Sequence, residues 1–334
     1  MNAGMYRGAF ARLAGDRPMR LMEVCGSHSA AIARYGIRAL LPGNVSVLSG
    51  PGCPVCVSRA GLIEQARFVL KRGIRLAVFG DLARIPGPGG GRLDMEPGVT
   101  AVYSPDEALK IAEKEEVVLT AVGFDPTTAA CAAVLQEAQE RDLRHFSMLC
   151  DCKHLFPVFA MLPEIDGFLL PGHVAAVTGR TAFDGLDRPG VIAGFEPEEI
   201  VLALLHLVKK VAAHDTRPEN DYPRAVPEHP GPAMRMIETC FEVCDSIWRG
   251  IGTVPGGGRR IRPGFAAFDA VKKYGIPDFP EPATPCRCGA VLRGKISPRG
   301  CPLFGRACTP AHPEGACMVS MEGACAAAYA HEEI

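Results

Sequence analysis

The sequence carries almost no net charge: 36 Lys and Arg stand against 37 Asp and Glu, a formal balance of -1. It therefore offers no basic field for nucleic acid or an anionic lipid surface, and neither is expected as a partner. Long hydrophobic runs are also missing. The two longest stretches with little charge are 39–58, broken by Pro42, Pro51 and Pro54, and 117–136, broken by Gly123, Asp125 and Pro126. Neither would span a bilayer as one helix. The opening MNAGMYRGAFARLAGDRPMRLMEV scatters arginines among apolar residues and lacks the apolar core of a secretion signal, which predicts a cytoplasmic chain. Disorder is excluded by 48% hydrophobic against 22% charged residues. At 334 residues the chain is long enough for two or three domains and needs no disulfides to bury a core.

What the sequence has in quantity is cysteine. There are 14, and in a reducing compartment that number points to metal or redox chemistry rather than a disulfide framework. Six of them, Cys286, Cys288, Cys301, Cys308, Cys317 and Cys325, fall in the C-terminal segment.

Short apolar runs alternate with amphipathic stretches of helical length. Strands are expected at Arg20–Val24, Val45–Leu48 and Arg75–Phe79, with helices at Ser29–Leu41 and Ala60–Lys71 between them. A second series follows. Its strands are Val99–Tyr103, Val117–Val122, Phe146–Leu149, Gly167–Leu170 and Val191–Ala193, and its helices Pro105–Glu115, Thr127–Arg141 and Pro197–His214. The pattern predicts an α/β protein with two similar parallel-sheet domains, 20–103 and 104–206, flanking a cleft. A cysteine-rich, mostly irregular or helical third domain would comprise 1–19 and 207–334. There, Ala233–Trp248 reads as a helix, with Cys240 and Cys244 on its core side, and Pro255–Gly258 as a glycine break.

The residues that follow the strands carry unusual chemistry: Cys25-Gly-Ser-His28, Gly50-Pro-Gly-Cys53-Pro-Val-Cys56, Gly80-Asp81, Gly123-Phe-Asp125, Cys150-Asp-Cys152, Pro171-Gly-His173 and Gly194-Phe-Glu196. Open α/β sheets bind ligands at the carboxyl ends of their strands, so Cys25, His28, Cys53, Cys56, Asp81, His173 and Glu196 become the candidate site residues. Cys25 with His28 suits a nucleophile and its base, a metal ligand and its support, or a buried structural pair. Cys53 and Cys56 open a helix, a position that lowers thiol pKa and suits redox or ligand chemistry. In the C-terminal segment, four thiolates suit zinc or an iron–sulfur cluster. Paired short knuckles typical of structural zinc are missing, and the wide spacings fit a cluster better.

Read together, these segments resemble the HypD family of hydrogenase maturation factors. The match runs from Met22-Glu-Val-Cys-Gly-Ser-His28 through Gly50-Pro-Gly-Cys-Pro-Val-Cys56, Gly80-Asp81, Tyr103-Ser-Pro105, Pro171-Gly-His-Val174 and Ala193-Gly-Phe-Glu-Pro197. It closes with Trp248-Arg-Gly250, Cys301-Pro-Leu-Phe-Gly305 and Ser320-Met-Glu-Gly-Ala-Cys-Ala326. The resemblance implies two α/β domains and a third holding a [4Fe-4S] cluster. The family's C-x12-C-x6-C-x16-C spacing selects Cys288, Cys301, Cys308 and Cys325 as its ligands and leaves Cys286 and Cys317 outside. It also implies the task, assembly of the Fe(CN)2CO unit of [NiFe]-hydrogenase, by a monomer working in complex with a HypC-like chaperone and a HypE-like cyanide donor. Cys25 would hold the transient iron, with His28 donating a hydrogen bond in support. Another use of the same residues is a thiol–disulfide oxidoreductase acting through Cys53 and Cys56. The chain departs from the family pattern where Gly123-Phe-Asp-Pro-Thr-Thr128 replaces Gly-Phe-Glu-Thr-Thr, and where Cys152 replaces a histidine-containing segment. Both departures are expected to face the crevice.

Overall fold

A computed structural model describes residues 3–331, and the expected strands form within a residue or two of their predicted limits. In chain order they are β1 (Met19–Glu23), β2 (Val45–Ser49), β3 (Arg75–Phe79), β4 (Val99–Val102), β5 (Val117–Ala121), β6 (Phe146–Cys150), β7 (Gly167–Pro171), β8 (Gly190–Ala193) and the short β9 (Glu219–Asn220). They build two all-parallel sheets, β2-β1-β7-β8-β9 and β4-β3-β5-β6. Val and Leu on consecutive positions, as in the fully buried β5, are what a sheet covered on both faces demands. No helix among the described residues is long and apolar enough to cross a membrane.

The division at residue 103 does not hold. The two strand series do not each close a sheet: β3 and β4 pair with β5, while β1 and β2 pair with β7. One α/β unit is therefore made from the outer parts of the chain, roughly 3–57 and 163–220, with the other inserted between them. Local alternation specifies strands but not which strand lies beside which.

The N-terminal helix Ala3–Ala14 also leaves its predicted place in the cysteine-rich domain. Its Tyr6, Phe10 and Ala14 join Leu21, Val191, Leu204 and Leu207 in one buried cluster, and the Tyr6 hydroxyl donates to Glu198 (2.9 Å) on helix Pro197–Ala212. On the opposite face of the same sheet, Met22, Phe168, Leu170 and Ile192 pack with Val57, Trp248 and Leu292. Alternation across β1 divides Leu21 from Met22 in this way. The second sheet is covered by Val134 and Leu135 of helix Asp125–Glu140 on one side and by Leu62, Ala66 and Val69 of helix Gly61–Leu70 on the other.

The stretch 233–248 is only half helical. Helix Pro232–Cys240 ends where β10 (Phe241–Trp248) begins, and β10 pairs antiparallel with β11 (Gly252–Ile261), which contains the expected glycine break. The β-favouring Phe241, Val243, Ile247 and Trp248 decide this. Cys240 is buried at the helix end, whereas Cys244 lies on the strand and is partly exposed, so the two do not share a helical face. The C-terminal segment has only short helices, Cys288–Leu292, Ala316–Val319 and Ala324–His331.

Candidate functional site

The carboxyl ends of β1, β2, β5 and β7 meet at a cleft of about 170 Å³ between the two sheets. Cys25, Gly52 and Pro54 line one side, Phe124, Pro126 and Thr127 the other, and His173 and Glu322 its rim. Cys25 ends β1 as the N-cap of helix Gly26–Arg34 and stays extended (φ -145°, ψ 122°), with the backbone N–H groups of His28 and Ser27 turned toward its thiol. Those donors favour a thiolate, but burial outweighs them and pushes the Cys25 thiol up to about 12. The loop from β2 packs directly on the Cys25 backbone because residue 52 is glycine. A Cβ there would lie 2.1 Å from the Cys25 nitrogen.

Beneath Cys25 is a carboxyl that the sequence reading did not single out. Glu23 is fully buried, accepts from the Cys25 N–H (3.0 Å) and from the Ser29 hydroxyl, and burial raises its pKa to about 7. Glu322 was missed too, although it lies within the Ser320–Ala326 motif. It accepts from Ser27 Oγ (2.7 Å), and its Cβ would be 2.5 Å from a Cβ on residue 26, so Gly26 admits the C-terminal segment to the cleft.

His28 is also buried, and burial lowers its pKa to about 4. Its Nε2 lies 2.9 Å from the Gly194 carbonyl, which can only accept, so Nε2 carries the proton and Nδ1 is left without a hydrogen-bond partner. The expected donation from His28 to a sulfur or cyanide is therefore not available. The neutral ring offers only a lone pair. Phe195 stacks against His28 (centroids 5.0 Å) and His173 (3.8 Å), which fixes both imidazoles. His173 is exposed at the rim, with burial of part of its ring lowering its pKa.

Cys53 and Cys56 lie behind Cys25, both buried, at the start of helix Pro54–Val57. The Cys53 sulfur accepts the Cys56 N–H at 3.2 Å. The expected lowering of thiol pKa fails at Cys56, where burial and the neighbouring Cys317 and Cys53 thiols push it well up. Cys317, on helix Ala316–Val319, thus touches the C-x-x-C pair.

The remaining C-terminal thiols gather beyond it. Burial raises the Cys325 thiol, and the neighbouring Cys317, Cys286, Cys308 and Cys301 raise it further. Cys308 accepts the Glu314 N–H (3.4 Å) and Cys286 packs against Gly315, where an added Cβ would be 2.5 Å from its sulfur. Cys286 and Cys308 so meet at Gly315. Cys288 is buried between the hairpin turn, its sulfur 3.4 Å from where a Gly250 Cβ would be, and the Cys286 side chain, with which it lines one cleft. Cys286 neighbours Cys288 on one side and Cys308 and Cys325 on the other, so these thiols and Cys301 form one group. Among the described residues no three His, Cys, Asp or Glu side chains converge on a single ion position, so these thiols are spread more widely than a one-metal site.

Two candidates do other work. Asp81 accepts from Ser320 Oγ (2.9 Å) and Arg84 (2.6 Å), pinning the C-terminal segment to the end of β3. Glu196 is exposed and caps helix Pro197–Ala212 in a capping box with Glu199. Neither lines the cleft. The two departures from the family pattern meet at Arg259 instead of facing the crevice. Asp125 binds its guanidinium (2.9 Å) and the Cys152 carbonyl accepts its N–H (3.0 Å), both residues being buried. Pro126 alone of that loop's altered residues reaches the cleft.

A model of the family described as "HypD: Hydrogenase formation hypA family" matches residues 5–332. The hydrogenase maturation factor HypD of Cupriavidus necator is 41% identical over 338 residues, covering 93% of this chain and 89% of the relative. That of Escherichia coli strain K12 is 40% identical over 342 residues, 95% and 90% of the two chains. The hydrogenase expression/formation protein HupD of Azotobacter chroococcum is 41% identical over 358 residues, covering 96% and 92%. With a family match running almost end to end, and identities of this size over nearly the whole of both chains, the protein belongs to the HypD family of hydrogenase maturation factors.

Proposed function

We propose that the chain is the scaffold on which the Fe(CN)2CO unit of [NiFe]-hydrogenase is assembled, with the iron as cargo held by Cys25. The observation that carries this reading is the cleft itself: one buried thiol, Cys25, at the start of a helix, with no second thiol among the described residues that line the opening. A soft, strongly donating thiolate suits low-spin iron, and a single one leaves positions for diatomic ligands and for a thiolate brought by a partner. That partner would be a small HypC-like chaperone, and a HypE-like protein would deliver cyanide. Burial of the Cys25 thiol means that it gives up its proton only when a cation takes that place. Glu23, His28 and His173 surround it and hold its geometry.

Cys288, Cys301, Cys308 and Cys325 would hold a [4Fe-4S] cluster, with Cys286 beside them, and the cluster supplies single electrons when bound. Their gathering in a segment with little helix of its own supports a cluster there, since metal binding orders such a segment. A cytoplasmic setting follows from the need for free thiols. The contact of Cys56 with both Cys53 and Cys317 favours a second role, reduction of a Cys53–Cys56 disulfide by two electrons and two protons.

The test is infrared spectroscopy of the chain co-purified with its HypC-like partner. Wild type should show bands from iron-bound CN and CO. Cys25→Ala should fold, keep its iron–sulfur absorbance and lose those bands. Bands at full intensity in Cys25→Ala would remove the assignment.

A further inference from the structure

The Trp248-Arg-Gly250 motif has no place in the cleft, yet it sits where the thiol stations meet. It forms the turn between β10 and β11, and each of its residues touches a different part of the site. Trp248 is buried beside Phe124 of the cleft wall, ring centroids 5.8 Å apart. Gly250 lies so close to the Cys288–Leu292 helix that a Cβ would be 2.6 Å from the Gly289 Cα. Arg249 reaches the end of the Cys53–Cys56 helix: its N–H donates to the Val57 carbonyl (2.8 Å) and its Nε to the Ser58 carbonyl (2.8 Å). Those carbonyls belong to the negative end of that helix, where a cation is favourable.

The other side of the Arg249 guanidinium faces a second cleft, of about 420 Å³, which Cys286 and Cys288 also line, with the exposed Glu281 and Glu314 at its rim. Arg249 is partly buried and, among the described residues, pairs with no carboxylate within 4.0 Å. A half-buried cation outside any carboxylate ion pair, lining the same cleft as Cys286 and Cys288, is a counter-charge for whatever negative species those thiols make.

We propose that Arg249 is a positioning residue joining the two thiol stations: it closes the carbonyl end of the Cys53–Cys56 helix, and its charge eases electron entry at the C-terminal cysteine group. This rests on the cluster reading above. An iron–sulfur cluster gains negative charge on reduction, so a nearby fixed cation favours the reduced form.

Two variants of the anaerobically purified full chain separate the parts. Arg249→Gln removes the charge; Arg249→Lys keeps it but loses the planar donor to Ser58. At the potential where wild type is half reduced, Arg249→Gln should have a reduced-to-oxidised ratio at least fivefold lower by electron paramagnetic resonance, about 40 mV for one electron. Arg249→Lys should stay within twofold. Peptide-resolved alkylation should label Cys53 and Cys56 severalfold faster in both variants, with Cys131 and Cys240 unchanged as buried controls. An unchanged ratio in Arg249→Gln, or unchanged labelling of Cys53 and Cys56 in both variants, overturns the proposal. Wild type without iron and sulfide overturns the cluster reading and the charge effect with it, and the labelling arm then still decides whether Arg249 closes the helix.

Discussion

At Cys25 the chain buries two ionisable neighbours whose proton affinities move in opposite directions. Glu23 is raised to about 7, so the folded state binds more protons than the unfolded state above the ordinary carboxyl range. Its contribution to stability is fully present below pH 4.5 and is lost as pH rises through about 7. His28 is lowered to about 4, so the unfolded state binds more protons between that value and 6.5, and stability is lost as pH falls through this window. The two slopes offset each other in wild type. Glu23→Gln should therefore leave stability rising with pH between 4 and 6.5, and His28→Gln should leave it falling between 4.5 and 7. Each slope amounts to about 3 kcal/mol at most across its window. Melting temperatures of wild type and both variants from pH 4 to 8 would check this, and parallel curves for all three would refute it.

At the scale of the element, the β10–β11 hairpin decides how the second sheet meets the cleft. Arg259 on β11 and Asp125 at the start of helix Asp125–Glu140 form a buried ion pair, with Asp125 Oδ2 and Arg259 Nε left without hydrogen-bond partners. Such a pair adds little net stability over an apolar contact, but removing one partner strands a buried charge. Arg259→Ala should cost roughly 3–5 kcal/mol in urea unfolding. Arg259→Ala combined with Asp125→Ala should recover a large part of that loss. A single-variant cost under about 1 kcal/mol would show that Asp125 is not charged in the folded protein. The same hairpin explains a misreading of the sequence. Residues 233–248 have helical amphipathicity at their start and β-forming side chains at their end, and only pairing with Gly252–Ile261 fixes the switch at Phe241.

For the whole molecule, the C-terminal segment is the part whose order depends on more than a hydrophobic core. It is nevertheless built into the site: helix Ala324–His331 packs against helix Gly26–Arg34, Glu322 binds Ser27, and Ser320 binds Asp81. Stripping iron from the purified protein should let a protease cut first between 286 and 331. Hydrogen exchange in helix Gly26–Arg34 should rise at the same time, while β5 and helix Pro197–Ala212 stay protected. Cleavage unaffected by iron removal would show that the segment holds itself together without a metal.

The sequence by itself determined the strands and most of the helices, because apolar periodicity and chain punctuation are local. It also determined the family, and it singled out Cys25, His28, Cys53, Cys56 and the C-terminal thiols as candidates, because unusual residue types after strand ends stand out from core composition. The tertiary structure decided what depends on distance. Crossovers put β1 and β2 beside β7 and so overrode a boundary drawn along the chain. Burial reversed the expected effect of a helix start on Cys56 and made His28 an acceptor. Packing placed Cys286 beside Cys288 among the grouped thiols, and brought Glu23, Glu322 and Cys317 to sites that no spacing announced. Spacing along a chain cannot show which way a side chain turns when the backbone around it is irregular, and only packing against the other segments sets that direction.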